Sequence, residues 1–479
     1  MRDHGSMTGE HEQMMLAAHR KALWAHFVNV FLGVWLMTSP SLLGLVDPGP
    51  FSDEVMRVTQ ERGLASPEWR AVAMAWSDIA SGALVVLFGA LSLARRTRWA
   101  QWMNALLGLW LLFAPLIFWA PSAAAYLNDT AVGALVIMFS VLVPMMPGMS
   151  HEGMMDTRAI PPGWDYSPST WAQRLPIIAL GAVGFFIARY LAAYQMGHID
   201  AIVEPFFPGL EAGKNGTESI ITSHVSMAWP IPDAGLGAVA YLLEVLMGAM
   251  GDKTRWRTMP WMVTFFGILV VPLGMVSLYF IVIQPIQIGT WCTLCLAAAL
   301  AMLVMIPFAL DEIVAMGQYL RFTRRTGQPT WWLFFTGGPM EGGKEDQETD
   351  LASFGATLRQ AVRGVTLPWP LVVTTLLGVW LMCTRLAFGS EPPMANSDHL
   401  AGSLVVTISI IAMAEVARPL RLFNVPAGLW VIAAPWLMAG GSIVANIAGA
   451  VVGLAIVLLS VPFGVRSAHH YGRWDRLVV

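Results

Sequence analysis

Twelve apolar runs of about 20 residues make up most of this 479-residue chain. A run of that length crosses a hydrocarbon layer of about 30 Å as a helix, and only a helix satisfies the backbone groups of such a segment within lipid. The composition agrees, since 56% of the residues are hydrophobic and only 12% are charged. We therefore predict an all-α, polytopic membrane protein in a lipid bilayer. The predicted spans are about 22–45, 71–94, 99–120, 127–147, 171–194, 233–250, 261–284, 290–310, 367–389, 397–416, 421–438 and 441–463.

The distribution of Lys and Arg predicts how the chain is oriented. Basic residues precede the first span and cluster in the loops after spans two, six, eight and ten. These loops share one side of the membrane when both termini are cytoplasmic, which is the arrangement that the positive-inside rule favours. We therefore expect a multi-pass protein of the bacterial inner (plasma) membrane with both termini cytoplasmic. The net charge of −3 is no indication of nucleic acid, and no nucleic-acid partner is expected.

Two polar linkers divide the spans into three blocks of four helices each. The acidic run EGGKEDQETD, Glu341–Asp350, lies in the second linker and is expected to be a solvated tether. The predicted domains are 1–147, 171–320 and 367–479, joined by linkers at 148–170 and 321–366.

The two outer blocks repeat one sequence pattern. Since Asn and Gly four residues apart share a helix face, we expect the Gly to permit close approach of a neighbouring helix and the Asn to hydrogen-bond across the interface. The Trp and Pro of the pattern predict an interfacial anchor and a helix stop. The repeats are Trp24, Asn29, Gly33, Trp35 and Pro40; Trp99, Asn104, Gly108, Trp110 and Pro115; Trp369, Thr374, Gly378, Trp380 and Arg385; and Pro419, Asn424, Gly428, Trp430 and Pro435.

The second span of each repeat carries an Asp followed four residues later by a Gly. The pairs are Asp78 and Gly82, Asp129 and Gly133, and Asp398 and Gly402. In the last repeat, we align Gly449 with the glycine and Ala445 with the acidic position. The whole pattern resembles the SPW repeat of bacterial membrane proteins, of which fragments survive at Thr38–Pro40 and Ala434–Trp436. That resemblance implies a membrane scaffold.

The middle block carries a Cys-x-x-Cys pair, Cys292 and Cys295, in the stretch QIGTWCTLCLAAAL. At the start of a helix, unpaired N–H groups and the positive end of the dipole favour a thiolate. The first cysteine of such a pair is usually the exposed attacker, and the second lies one turn deeper. We therefore expect Cys292 to exchange with a thiol partner and Cys295 to face a hydrophobic acceptor. The third cysteine, Cys383, is expected to serve packing.

Over about 171–312 the chain resembles the vitamin K epoxide reductase family. It shares four spans, a long outer loop after the first span, a Cys-x-x-Cys opening the fourth, and the segment GTESIITSHVSMAWPIPDAGLGAVAY, Gly216–Tyr241, which looks like that family's loop, half-helix and second span. The resemblance implies that the second cysteine attacks a quinone, either menaquinone or ubiquinone, inside the bundle. It also implies that the first cysteine serves a periplasmic thioredoxin-like thiol protein by way of a loop cysteine.

The resemblance assigns roles to single positions. Ser223 matches the family's loop serine and is grouped with Cys292 and Cys295 as catalytic. Tyr241 matches a family Tyr, and Ala299 stands where some members present a quinone-bonding Tyr. The positions assigned to the quinone are Asp233, Gly237, Tyr241, Trp291 and Ala299.

The chain also departs from that family. Thr217 stands where the inner loop cysteine belongs, and 195–233 contains no other cysteine, so the internal relay is missing. A partner would therefore have to attack Cys292 directly. Asp233 replaces an Asn, and because a bare carboxylate is costly beside an apolar ligand, we expect it to be protonated, paired or solvated.

The sequence thus predicts a quinone-linked thiol oxidoreductase that cycles Cys292 and Cys295 at the periplasmic face. The competing interpretation is a non-enzymatic quinone-binding or membrane assembly scaffold with a degenerate reductase domain, which the missing loop cysteine favours. No metal site is expected. The other open alternatives are inert structural thiols, zinc on the cysteine pair with His198, Glu204 or His224, and Cu(I) on the Met/His-rich stretches His4–Met15 and Met145–Met155.

Overall fold

The computed structural model describes residues 3–141, 150–349, 351–461 and 469–477. The chain is 72% helical with almost no strand, so the prediction of an all-α protein is confirmed. Two short strands, β1 (Arg158–Ile160) and β2 (Lys344–Glu345), form an antiparallel pair. The first ten helices are α1 (Asp3–Leu42), α2 (Asp53–Arg62), α3 (Pro67–Ser92), α4 (Ala100–Ile117), α5 (Ala123–Val141), α6 (His151–Met155), α7 (Trp171–Gln195), α8 (Gly216–Ile221), α9 (His224–Met227) and α10 (Asp233–Ala249).

The second half of the chain contains ten further helices. A π-helical turn at Gln284–Ile288 follows the third helix of the middle block, and a 3-10 segment at Glu415–Phe423 precedes the last helix pair. The α-helices are α11 (Arg255–Thr258), α12 (Pro260–Ile283), α13 (Thr293–Arg325), α14 (Thr330–Thr336), α15 (Phe354–Ala361), α16 (Trp369–Met382), α17 (Thr384–Phe388), α18 (Met394–Ile411), α19 (Asn424–Leu437) and α20 (Ile443–Ser460).

Eight helices among the described residues are long and apolar enough to cross a membrane. The four other predicted spans are also helical and correspond to α1, α10, α16 and α18. The helical, multi-pass character of the chain is therefore confirmed, while the count of twelve spans stays a prediction. The eight helices cover Pro67–Ser92, Ala100–Ile117, Ala123–Val141, Trp171–Gln195, Pro260–Ile288, Thr293–Arg325, Glu415–Leu437 and Ile443–Ser460.

The chain divides into two compact units. The first contains the N-terminal helices and α10, and the second contains the cysteine pair and the C-terminal helices. The predicted domain boundaries at the linkers stay a prediction. The first unit is Met1–Met149, Phe185–Val203 and Ile221–Gly251, and the second is Ser150–Gly184, Glu204–Ile220 and Asp252–Val479.

Paired glycines set the helix crossings of the outer blocks. A Cβ added at any of these glycines would lie 2.5 to 2.9 Å from the carbonyl oxygen of its partner glycine. Only the absence of a side chain allows two helix backbones to approach so closely, so the predicted reason for the repeat's glycine is confirmed. The pairs are Gly33 with Gly82, Gly108 with Gly133, Gly378 with Gly402, and Gly428 with Gly453.

The fourth pair corrects the alignment of the last repeat. The glycine that meets Gly428 is Gly453, whereas a Cβ on Gly449 would have nothing within 4 Å. The repeat is therefore shifted by one helical turn from the predicted register. Gly449, and not Ala445, occupies the position that holds Asp in the other three repeats. The error arose because glycines four residues apart lie on the same helix face, so spacing alone does not separate them.

Two of the three repeat asparagines link helices as expected, whereas neither side-chain polar atom of the buried Asn104 has a hydrogen-bond partner. Asn29 donates to the Ser140 hydroxyl at 3.0 Å, and Asn424 donates to the Ser409 hydroxyl at 2.9 Å. The helices α1, α4 and α19 each end two residues beyond the repeat's proline. The predicted interhelical bond is thus present at two asparagines, and the proline marks the end of each of these helices.

The repeat tryptophans also connect one repeat to the next. Each indole N–H donates to the side-chain oxygen of the residue that directly precedes the acidic position of the other repeat. The three bonds run from Trp35 to Asn128 at 2.8 Å, from Trp110 to Ser77 at 3.0 Å and from Trp430 to Ser397 at 2.9 Å. These tryptophans remain about two-fifths exposed. They therefore combine a specific bond with the amphipathic surface of an interfacial anchor.

The second linker is more ordered than a solvated tether. Lys344 and Glu345 form β2 against β1, and Lys253 contacts the Asp346 carboxylate at 3.3 Å. Glu348 pairs with Arg363 at 2.8 Å. The expectation of a free tether is wrong for 341–349, because the charged residues of this run have partners within the second unit.

Replacement of two glycines one turn apart in α20 tests the corrected register. Gly453→Ala places a methyl group against the Gly428 backbone and should destabilise the protein by about 1–3 kcal/mol, as overpacking does. Gly449→Ala enters open space and should be neutral or stabilise the helix by up to about 1 kcal/mol. Thermal unfolding of the purified protein in detergent measures both. Equal losses in the two variants would contradict the Gly428–Gly453 crossing.

Candidate functional site

Cys292 and Cys295 form a disulfide at the start of α13. Their Cα atoms are 5.2 Å apart. Cys292 is the N-cap residue, and its sulfur accepts a hydrogen bond from the Cys295 backbone N–H at 3.0 Å. The Cys292 N–H itself donates to the side-chain oxygen of Gln284 at 3.1 Å. The pair is therefore placed where unpaired helix N–H groups meet sulfur, as the sequence predicts.

The exposure of the two cysteines is the reverse of the predicted order. Cys292 is 0% exposed, whereas Cys295 is partly exposed. The expectation that Cys292 is the open attacker is therefore wrong for this state of the protein. A segment of the loop after α7 contacts the residues on both sides of Cys292.

This segment, residues 204–220, is called the covering loop below. Thr290 donates its hydroxyl to the Pro208 carbonyl at 2.8 Å. The Phe207 ring stacks on the Trp291 indole with centroids 6.0 Å apart. The backbone of Gly216 lies so close to that of Trp291 that a Cβ added to Gly216 would lie 2.4 Å from the Trp291 carbonyl oxygen. The covering loop thus contacts the two residues directly before Cys292.

Glu204 fixes the covering loop to the residue directly after Cys292. Its carboxylate accepts from the Thr293 backbone N–H at 2.8 Å and from the Thr293 hydroxyl at 2.5 Å. It also accepts from the Thr217 hydroxyl at 2.6 Å. Desolvation would raise the pKa of Glu204, but the hydrogen bonds from Thr217 and Thr293 outweigh it and lower the pKa to about 2. Glu204 is therefore a carboxylate at neutral pH.

Thr217, which the resemblance aligns with the family's loop cysteine, is part of this contact. Its hydroxyl and the Thr293 N–H share one oxygen of Glu204, so the two donors are close neighbours. Thr217 is 0% exposed. A polar bridge through Glu204 therefore occupies the place where the resemblance implies a redox-active loop cysteine.

Residues 290–295 are called the cysteine turn below. The C-terminal block also contacts this turn and the chain that leads into it. The Trp291 indole meets the His399 ring of α18 edge to face, with centroids 4.8 Å apart and planes at 87°. His399 lies 3.3 Å from the Ile281 carbonyl oxygen through Nε2. Arg385 donates to the Pro285 carbonyl at 2.7 Å within the π-helical turn. Helices of the C-terminal block thus hold the chain that leads into Cys292.

Two of the predicted site residues have structural contacts within the first unit. Ser223 caps the short helix α9, where its hydroxyl accepts from the Ser226 N–H at 3.4 Å. Asp233 accepts from the Gln195 amide at 2.5 Å and from the Ser226 hydroxyl at 2.9 Å. Gln195 also donates to the Ile221 carbonyl at 3.0 Å. The Asp233 carboxyl is therefore paired, which is one of the three states expected for it.

The other predicted quinone-facing residues lie on two helices. On α10, Gly237 has room beside it, since an added Cβ would meet only the Ala188 methyl at 3.7 Å, and Tyr241 is 4% exposed. Ala299 lies on α13 and is 7% exposed. One turn after Tyr241, Glu244 is 0% exposed, and neither of its carboxylate oxygens has a hydrogen-bond partner.

The alternative ligand sites gain no support from the described residues. Within these ranges, no group of three His, Cys, Asp or Glu is arranged to hold a metal. The side chains of His4–Met15 lie outside the described residues, as does 142–149 with the first part of the second Met/His-rich stretch. Cys383 is a free, partly buried thiol between α16 and α17.

Sequence reasoning missed the roles of Glu204 and Gln284. Glu204 entered it only as a possible zinc ligand, and Gln284 did not enter it. The one available signal was the polar Thr293 between the two cysteines, which needs a hydrogen-bond partner at the start of its apolar helix. Nothing in the spacing identifies a partner 89 residues earlier.

A Cys-x-x-Cys disulfide at the start of a helix in a helical membrane domain is the arrangement that a membrane thiol oxidoreductase requires. Comparison with family models is more specific: 175–310 match the vitamin K epoxide reductase family, and 64–143 and 368–462 match the SPW repeat domain. The chain thus contains a vitamin K epoxide reductase family domain flanked by SPW repeat domains, as predicted. No curated protein and no solved structure matches the chain.

The state of the thiols gives a direct test of this site. Because Cys292 and Cys295 are joined while Cys383 is free, the denatured, non-reduced protein should react with one maleimide. After reduction it should react with three. Intact-mass spectrometry counts the additions, and Cys383→Ala is the control that should lower each count by one. Three additions without reductant would show that the pair is not a disulfide.

Proposed function

We propose that this protein is a quinone-linked thiol oxidoreductase that cycles the Cys292–Cys295 disulfide at the outer, periplasmic face of the bacterial inner membrane. The observation that supports it is the disulfide itself, closed over the first turn of an apolar helix within a vitamin K epoxide reductase family domain. The partly exposed residue of the pair is Cys295, the cysteine that the resemblance assigns to the lipid-soluble acceptor.

The proposed cycle balances in two steps. A partner dithiol reduces the Cys292–Cys295 disulfide by thiolate attack on Cys292 and resolution of the mixed disulfide, so the partner is oxidised and the pair becomes a dithiol. The dithiol then passes two electrons and two protons to a quinone, which leaves as the hydroquinone while the disulfide re-forms. The net reaction oxidises one partner dithiol for each quinone reduced.

Four of the remaining residues keep the quinone-binding role that the resemblance implies, while Asp233 and Ser223 are given positioning roles instead. Trp291 and Ala299, which lie close in sequence to Cys292 and Cys295, are proposed quinone neighbours. Gly237 and Tyr241 are proposed quinone neighbours on α10. Asp233 is already bonded to Gln195 and Ser226, so its role in this proposal is to position α10. Ser223 is proposed to act likewise, through its cap on α9.

The orientation is part of the proposal. Positive-inside charge places both termini in the cytoplasm and the start of α13 outside. That compartment is oxidising in bacteria, and a thioredoxin-like thiol protein there is the proposed electron donor. Menaquinone and ubiquinone are the proposed acceptors, since either dissolves in the bilayer.

Two observations favour the competing function of a non-enzymatic scaffold. Thr217 takes the place of the relay cysteine, and Cys292 is fully buried. In that case the SPW repeat domains would assemble membrane partners, and the disulfide would be a structural cross-link. The two functions differ in whether the pair changes redox state with a quinone.

Quinone-dependent oxidation separates them. In protein reduced beforehand and freed of reductant, addition of a soluble ubiquinone or menaquinone analogue without oxygen should convert the pair to the disulfide and form hydroquinone in equal amount. Absorbance of the hydroquinone and differential alkylation measure the two products.

Matched variants complete this experiment. Cys292→Ala and Cys295→Ala should each abolish hydroquinone formation, whereas Cys383→Ala should leave it unchanged. If the reduced pair stays a dithiol with both quinones, the oxidoreductase proposal fails and the scaffold remains.

The position of Thr217 gives a second prediction. Thr217→Cys places a thiol beside the cysteine turn, because the native hydroxyl shares a carboxylate oxygen with Thr293. In a Cys295→Ala, Cys383→Ala background, mild oxidation should crosslink the new thiol to Cys292, which peptide mass spectrometry detects. Glu211→Cys in the same exposed loop is the control and should crosslink far less. Equal yields would contradict the placement of the covering loop.

A further inference from the structure

The covering loop raises a question that the proposed function leaves open. Thiol exchange requires a partner sulfur to reach Cys292 in line with the disulfide bond, yet Cys292 is 0% exposed. Some of the contacts over it must therefore break in each cycle. The contacts of the loop identify which side chain holds it in place.

Among the described residues of the loop, Glu204 is the only one whose side chain is shown to hydrogen-bond both to α13 and to the rest of the loop. On the α13 side, its carboxylate accepts two hydrogen bonds from Thr293. On the loop side, it accepts from the Thr217 hydroxyl and from the Phe206 N–H at 3.0 Å. Hydrogen bonds to an ionised group are about twice as strong as neutral ones. The contacts of Phe207 and Gly216 with Trp291 are packing contacts, and the Thr290 hydroxyl makes one neutral hydrogen bond to the Pro208 carbonyl.

We propose that Glu204 is the latch of this site: its carboxylate, bridging Thr217 and Thr293, holds the covering loop over Cys292 and is released when a thiol partner binds. The inference rests on the proposed thiol chemistry and adds its regulation. A non-covalent bridge here does the work that a disulfide from the loop would otherwise do. This hydrogen-bonded bridge forms without an oxidant and breaks without a reductant, whereas a disulfide needs both.

The latch also acts on the sulfur through its charge. Thr293 is the first residue of α13, and its N–H is one of the donors that would favour a Cys292 thiolate. Glu204 takes that donor and brings a negative charge to the residue next to Cys292. A nearby carboxylate disfavours a thiolate and so raises its pKa. The closed loop therefore makes Cys292 both inaccessible and less reactive.

The charge of the latch is constant over the range in which thiols titrate. The pKa of Glu204 falls from the ordinary 4.5 to about 2, desolvation being outweighed by hydrogen bonds from Thr217 and Thr293. A depressed carboxyl pKa stabilises the folded loop above pH 4.5, and this stabilisation is lost only as the pH falls toward 2. Of the latch and the thiol, only the thiol changes its charge between pH 6 and 9.

Alkylation of Cys292 tests the latch without any quinone. The protein is the full chain in detergent with Cys295→Ala and Cys383→Ala, so that Cys292 is the one thiol. Glu204→Gln keeps the size of the side chain but loses the charge and one acceptor oxygen. We expect iodoacetamide to react about tenfold faster at pH 7 and the midpoint of the rate–pH profile to fall by about one unit.

A second variant separates access from charge. Thr217→Val removes the loop-side bond and keeps the carboxylate, so the reaction should accelerate while the midpoint of the pH profile stays in place. Glu211→Gln, in the same loop but exposed and paired only with Lys214 at 2.8 Å, is the matched control and should change neither. Hydrogen exchange of 204–220 should rise in Glu204→Gln and Thr217→Val alone.

The outcomes distinguish the latch from the wider function. If Glu204→Gln reacts at the parent rate with an unchanged pH profile, the latch is wrong. If Glu204→Gln does not fold, Thr217→Val decides, and an unchanged rate there also overturns the latch. If both variants expose Cys292 but the reduced pair is not oxidised by either quinone, the latch stands and the oxidoreductase proposal falls.

Discussion

The close approach of glycine to glycine is the constraint on which the outer helix pairs depend. At each of four crossings two backbones meet where a single added methyl group would overlap a carbonyl oxygen. Lipid offers little hydrophobic driving force between helices, so close packing and interhelical hydrogen bonds supply the association. The asparagine and tryptophan bonds of the repeat then fix the rotation of each helix once the glycines have set the distance.

This rigid crossing has a consequence for the cysteine turn. Gly402 fixes α18 against α16, and three residues earlier α18 presents His399 to Trp291. The segment that leads into Cys292 is therefore held between the covering loop and a helix of an SPW repeat domain. A scaffold repeat thus contributes to the geometry of the thiol site, which gives the fusion of the two families in one chain a physical reason.

The sequence was sufficient for the features that depend on local periodicity. Apolar runs predicted the helices because the length of a span is fixed by the membrane, and the Asn-to-Gly spacing predicted a helix contact because residues four apart share a face. The same property limited the prediction, since Gly449 and Gly453 fit the pattern equally well until a partner helix selected Gly453. The covering loop was beyond such reasoning, because Glu204 and Thr293 meet only through the tertiary fold.

The buried state of Cys292 also changes how the missing loop cysteine should be understood. In a disulfide relay the loop carries electrons, so losing its cysteine removes a step. Here the loop carries a carboxylate and a threonine whose hydroxyl bonds to it, so the loop has a contact of its own with the cysteine turn. A loop that had merely lost its function would have no need to place a fully charged group, held by both threonines, one residue from the disulfide. In the proposed latch, the Glu204 bridge at Thr217 takes the place of the loop disulfide that the resemblance implies.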